Sequence, residues 1–195
     1  MEGTNPVNKK LAAALSGGAV LVLALSGCSS DDGNKKLDDW AKKVCDQVQP
    51  QSKKIADANA AIQKETSDNS APADVQKTDS KAFQDMSDAY KAMGTSVKNA
   101  GAPPVDGGQK KMDDAVKELN DISKSYGDLK KKVDGLDTKD QAAFADGLKG
   151  VAGELDKLSK SGNEALDKLQ DGDVGKAMGK QESCKSASAT PSSKS

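Results

Sequence analysis

The sequence predicts an all-α fold: an antiparallel four-helix up-down bundle with a short C-terminal fifth helix, stapled by one disulfide. Three observations predict it. Apolar residues recur at steps of three, four and seven in four separate blocks, which is the stripe of an amphipathic helix. No run of β-branched residues alternates as a strand would. Short breaks rich in Pro, Gly, Asn and Asp separate blocks of similar length, and short connections favour antiparallel neighbours.

The first block carries Leu37, Trp40, Val44, Val48, Ile55 and Ile62. Pro50 falls inside it and is expected to kink or split the helix, because proline removes a donor and crowds the preceding turn. Asp68-Asn69-Ser70-Ala71-Pro72 then leads to a second block with Phe83, Met86, Tyr90, Met93 and Val97. Asn99-Ala100-Gly101-Ala102-Pro103-Pro104 introduces the third, which runs from Met112 through Leu119, Ile122, Tyr126 and Leu129 to Val133 and Leu136. Asp134 to Thr138 ends it, with Thr138 as N-cap of the fourth block. That block holds Phe144, Leu148, Val151, Leu155, Leu158, Leu166 and Leu169. Gly147, Gly150 and Gly153 weaken it by about 1 kcal/mol each against Ala; a close helix approach would explain only the first. A fifth segment over 173–183 carries Val174, Ala177 and Met178 and is capped by Asp171 or Asp173. Residues 185–195 read as a disordered tail.

Composition narrows the chemistry. The chain has 195 residues, 30% of them charged, 35% hydrophobic and 3% aromatic, so one domain with a thin aliphatic core is expected. Lys and Arg total 29 against 30 Asp and Glu, which gives no electrostatic reason to bind nucleic acid. His is absent, and all 29 basic residues are Lys. Without His, a catalytic triad and a Glu-x-x-His di-metal site are excluded. Without Arg there is no bidentate clamp for phosphate or carboxylate. Asp171, Asp173 and Glu182 resemble an EF-hand loop faintly, but Lys176 stands where the loop needs Gly. Pairs such as Asp31-Asp32, Asp38-Asp39 and Asp113-Asp114 sit among lysines that offer nothing to raise a pKa. No catalytic residue, metal site or cofactor is expected.

The first residues read as an address. Lys9 and Lys10 precede an apolar run from Leu11 to Leu25 that is too short and too rich in small residues for a stable membrane span. Leu25-Ser26-Gly27-Cys28 follows and resembles the lipobox of bacterial lipoproteins. The resemblance implies that residues 1–27 are a signal peptide and that Cys28 carries a diacylglyceryl group as the mature N-terminus. Two acyl chains anchor stably where one does not. Residues 28–36 then form the lipidated start and a polar linker, and 37–184 the helical domain. Extended, the eight linker residues after Cys28 reach at most roughly 27 Å, so the domain is expected close to the membrane on its extracytoplasmic face.

Cys28 being assigned to lipid, Cys45 and Cys184 remain, and in an oxidising compartment they are expected to pair. A fifth helix folding back over the bundle brings Cys184 to the level of Cys45. Trp40 reads as a plug in the thin core beside Val44, or alternatively as a ring that contacts a partner or ligand. Tyr90 and Tyr126 are expected to fill the core with their hydroxyls at the rim.

With the lipobox, the early Trp40 and Cys45 and the late Cys184, the mature chain resembles the small helical secreted lipoproteins of actinobacteria. The resemblance implies surface anchoring and no known catalytic residue. The function expected first is a non-enzymatic surface interaction module that meets another envelope protein. The alternative is a carrier of a small apolar ligand held between helices rich in Ala and Gly. Partner capture predicts a contiguous exposed apolar patch, and carriage an enclosed apolar cavity.

Overall fold

A computed structural model describes residues 29–65, 70–161 and 164–188. Among the described residues all regular structure is helical: α1 (Ser29–Glu65), α2 (Pro72–Ala100), α3 (Gly108–Asp134), α4 (Gln141–Ser161), α5 (Glu164–Leu169), α6 (Asp173–Gly179) and α7 (Glu182–Ser188). No described helix is long and apolar enough to cross a membrane.

A seven-residue repeat sets the packing. Buried Met112, Ala115, Leu119, Ile122, Leu129 and Val133 alternate steps of three and four along α3, with the half-buried Tyr126 filling the remaining place. On α2 the buried Val75, Ala82, Met86, Ala89 and Met93 do the same. Such a repeat keeps one seam facing a neighbour at a shallow crossing angle. Gly94 lies against Leu119, Ser87 against Ser123, and Gln76 against the end of α3, so α2 and α3 run antiparallel. The Ser87 hydroxyl donates to the Ser123 carbonyl at 2.8 Å, and the Ser123 hydroxyl donates back to the Ser87 carbonyl at 2.8 Å. Small side chains at this crossing let the backbones come close. Gln76 Nε2 donates to the carbonyls of Val133 and Leu136, both at 2.9 Å, and so ties α2 to the end of α3, sharing the Val133 carbonyl with the Leu136 N–H.

Lys43 Nζ donates to the Asn99 carbonyl at 2.7 Å, which places the start of α1 at the end of α2. Lys132 pairs with Glu154, and Gly147 sits against the Leu136 side chain, so α4 packs on α3 in the opposite sense. A Cβ on Gly147 would run into Leu136, whereas Gly150 and Gly153 have nothing near them.

The buried residues fall into two clusters. One, at the start of α1, joins Leu37, Trp40, Val44, Met93, Val97, Met112 and Leu119 to Leu169, Val174 and Ala177. The other joins Ala58, Phe83, Met86, Leu129, Val133 and Val151.

Several local expectations are corrected. Helix α1 reaches back to Ser29, so the expected polar linker has helical backbone and rises roughly 12 Å over eight residues instead of extending to 27 Å. Pro50 does not split α1; it is exposed, so the carbonyl it leaves without a partner faces water. Asp140, not Thr138, caps α4: its Oδ1 accepts from the Ala143 N–H at 2.9 Å. Of the expected long fourth helix, Gln141–Ser161 is described as α4 and Leu166 and Leu169 stand on α5, while residues 162–163 between them lie outside the described residues. The single expected fifth helix is two short ones, α6 and α7, and α6 has Gly172 at its N-cap with no side-chain cap from Asp171 or Asp173. Gly172 takes φ 69°, and a Cβ on Gly175 would overlap the Gln170 carbonyl, so two glycines shape this turn. Residues 185–188 belong to α7, whereas 189–195 lie outside the described residues.

Candidate functional site

Cys28, the expected attachment residue, lies outside the described residues, one position before α1 begins. Cys45 and Cys184 are joined in a disulfide across 139 positions, with Cα atoms 5.0 Å apart. The bond ties α7 to α1. Around it Lys180 pairs with Asp38 at 3.1 Å, and the Ser183 hydroxyl donates to Asp46 at 2.8 Å. The Asp46 carboxyl is held below its usual range by hydrogen bonds from Lys42 and then Ser183.

Trp40 is buried, and its indole N–H donates to the Gly101 carbonyl at 2.7 Å. Gly101 carries φ 82°, a conformation that glycine reaches without strain. Trp40 therefore pins the turn after α2 to α1, and its ring faces the core.

Between α1, α2, α3, α5 and α6 lies a cleft of about 290 Å³. Its floor is made by the buried Val44, Val97, Leu119 and Leu169. Half-buried Val48, Ile55, Leu166 and Met178 form the walls, and Ser52 and Gln170 stand at the rim. No lining side chain is charged. Tyr90 adds a ring that stacks on Tyr126, with centroids 5.5 Å apart and planes 8° from parallel. Phe83 continues the row at 6.2 Å from Tyr126. Burial pushes the Tyr90 hydroxyl up, and burial together with Tyr90 pushes Tyr126 up to about 12, so both remain neutral phenols.

Other grooves have a different character. One between α1 and α2 is lined by Lys54, Asp57, Lys77, Lys81 and Asp85 among others. One between α3 and α4 is lined by Asp128, Lys131, Lys132, Glu154 and Lys157 around Leu129 and Leu158. Many of these charges pair at i,i+4 spacing, as Lys110–Asp114, Lys117–Asp121 and Lys124–Asp128 do along α3. Such exposed pairs are screened by water and contribute little to stability. Asp173 pairs with Lys176 and Glu182 with Lys185, so the faint EF-hand pattern is spread over the first turns of two helices. Among the described residues no group of three metal-ligating side chains gathers.

One carboxylate stands apart. Asp79 is buried on the apolar stripe of α2, and among the described residues its Oδ1 has no hydrogen-bond partner. Burial, and then the charge of Glu65, pushes it up to about 6. Sequence reading missed both this residue and the cleft. Asp79 had a signal, since it occupies the step between Val75 and Ala82 where the repeat asks for an apolar side chain. Leu166, Leu169 and Met178 were legible as apolar helix positions, but nothing in their spacing shows that they meet Val48 and Ile55 across a cleft.

No protein-family model, no curated protein and no solved structure matches this chain.

Proposed function

We propose that this chain is a lipid-anchored protein of the extracytoplasmic membrane face that works by binding, without turnover of its own. In this reading the four long helices close as an up-down bundle, with α4 its least tightly held member. The observation that carries the binding function is the uncharged cleft. It is concave, mostly apolar and bounded by few polar groups, which are the marks of a small-molecule site. That favours carriage of a small apolar ligand over capture of another envelope protein, which calls for an exposed apolar face.

The anchor rests on Lys9, Lys10, the apolar run and Leu25-Ser26-Gly27-Cys28. With α1 beginning at Ser29, a lipid on Cys28 would hold the bundle by a helix instead of a loose tether. The test is in two parts. Labelled fatty acid is expected to enter the wild-type chain and not Cys28→Ala; equal labelling overturns the anchor. Native mass spectrometry of the exported protein is expected to show a copurifying small apolar molecule. A clean spectrum together with a reproducible crosslinked envelope protein replaces carriage with partner capture.

A further inference from the structure

The binding reading above leaves the ligand unnamed, and the cleft's chemistry narrows it. We propose that the site takes an uncharged, largely aliphatic molecule that enters between α1 and α5, with its one neutral hydrogen-bonding group held at the rim by Ser52 and Gln170. Three observations converge on this class.

The first is charge. The chain is 30% charged, and the neighbouring grooves are lined with Lys, Asp and Glu, yet the cleft lining contains none of them. A carboxylate or ammonium drawn inside would lose its water and find no opposite charge. The second is the grading of burial. Leu119 and Leu169 are buried at the floor, while Ser52 is half-buried and Gln170 exposed, so polarity rises from floor to mouth. A hydroxyl at the rim can both donate to and accept from Ser52 and Gln170, whose side chains offer donors and acceptors alike. The third is size and adaptability. A volume of about 290 Å³ holds on the order of ten water-sized groups, taking about 30 Å³ for each. Met93 and Met178 line it, and thioether chains reshape around varied apolar partners.

The test uses the full-length chain with Cys28→Ser, which cannot be acylated, purified with its disulfide formed. The probe is N-phenyl-1-naphthylamine, a neutral dye whose fluorescence rises in apolar surroundings. Dye binding is expected, and decan-1-ol is expected to displace the dye at concentrations about tenfold or more below those of decanoate at pH 8. Val48→Trp and Ser52→Trp, each filling the cleft from α1, are expected to abolish the displaceable signal while keeping the wild-type circular dichroism. Two separate variants guard against one failing to fold. The apolar run before Cys28 is present in every variant, so any signal it contributes persists and is subtracted. Equal displacement by decanoate overturns the uncharged class but leaves a ligand site. A displaceable signal that survives both folded Trp variants, or no dye binding by the parent chain, overturns the site itself.

Discussion

The two ends of the molecule share three long helices and are held together by different means. At the end where α1 begins, Trp40, Lys43 and the Cys45–Cys184 bond each join positions far apart in the chain, and α5, α6 and α7 fold over the core. At the other end the second cluster is built from Ala58, Phe83, Met86, Leu129 and Val133, with α4 laid against α3. There the core contains a buried carboxylate, and the covering helix has two glycines that touch nothing. The first end is constrained by cross-links and carries the cleft. The second has no covalent cross-link among the described residues and is held by the seven-residue repeat, the Gln76 hydrogen bonds and the Lys132–Glu154 pair. The cross-links thus gather at the end that carries the cleft.

The sharpest way to break this contrast is to cut the staple. The double variant Cys45→Ser with Cys184→Ser releases a loop of 139 positions. The chain-entropy model then expects a loss on the order of 5 kcal/mol. Urea unfolding followed by Trp40 fluorescence measures it. A loss below about 1 kcal/mol would mean that the short helices dock without the bond, and that the two ends differ less than their cross-links suggest.

A smaller effect of opposite sign is expected at the unstapled end. Asp79 has its pKa raised to about 6 from 3.8, by burial first and by Glu65 second. Between those values the folded state holds a proton that the unfolded state has released, so stability falls as pH rises through the window. The ceiling on that loss at neutral pH is about 3 kcal/mol, from 1.36 kcal/mol per unit. Asp79→Asn removes the charge and is expected to stabilise the protein by about 2 kcal/mol at pH 7.5, with little effect at pH 4. Unfolding midpoints at the two pH values check this. An equal change at both would show that Asp79 folds without the penalty its burial implies.

What the sequence disclosed and what it hid follow the same division. Leu119, Ile122, Leu129 and Val133 announce α3 because a long helix repeats its stripe several times, and the breaks at Pro72 and Pro103 announce its neighbours. The Cys45–Cys184 pair was legible because only two cysteines remained once Cys28 was assigned to lipid. The turn at Gly172 and Gly175 was not, because it depends on a close approach to Gln170 that no local pattern encodes. Of the kink or split expected at Pro50, the split is absent, since α1 runs through it as one helix. The cleft was hidden for a topological reason, since Val48 and Leu166 lie on elements far apart in the chain and meet only in the folded molecule.

The smallest effect probes the covering helix. Gly150 and Gly153 are exposed on α4, and a Cβ at either would meet nothing within 4 Å. Glycine in a helix interior costs roughly 0.5–1 kcal/mol relative to Ala, because more backbone freedom is lost on folding. Gly150→Ala and Gly153→Ala are each expected to recover about that amount. Gly147→Ala is the internal contrast, because its Cβ meets the Leu136 side chain and the same entropic gain is offset by repacking. Where the gain appears decides how α4 is attached. If α4 unfolds with α3, both exposed variants raise the global unfolding midpoint. If α4 detaches first, the gain is confined to slower amide hydrogen exchange within Gln141–Ser161, and the global midpoint stays put. The second outcome would make the unstapled end a separate folding unit. No gain in either measurement would mean that the backbone at Gly150 and Gly153 is not fixed as helix in the folded protein, so that Ala has no lost entropy to recover.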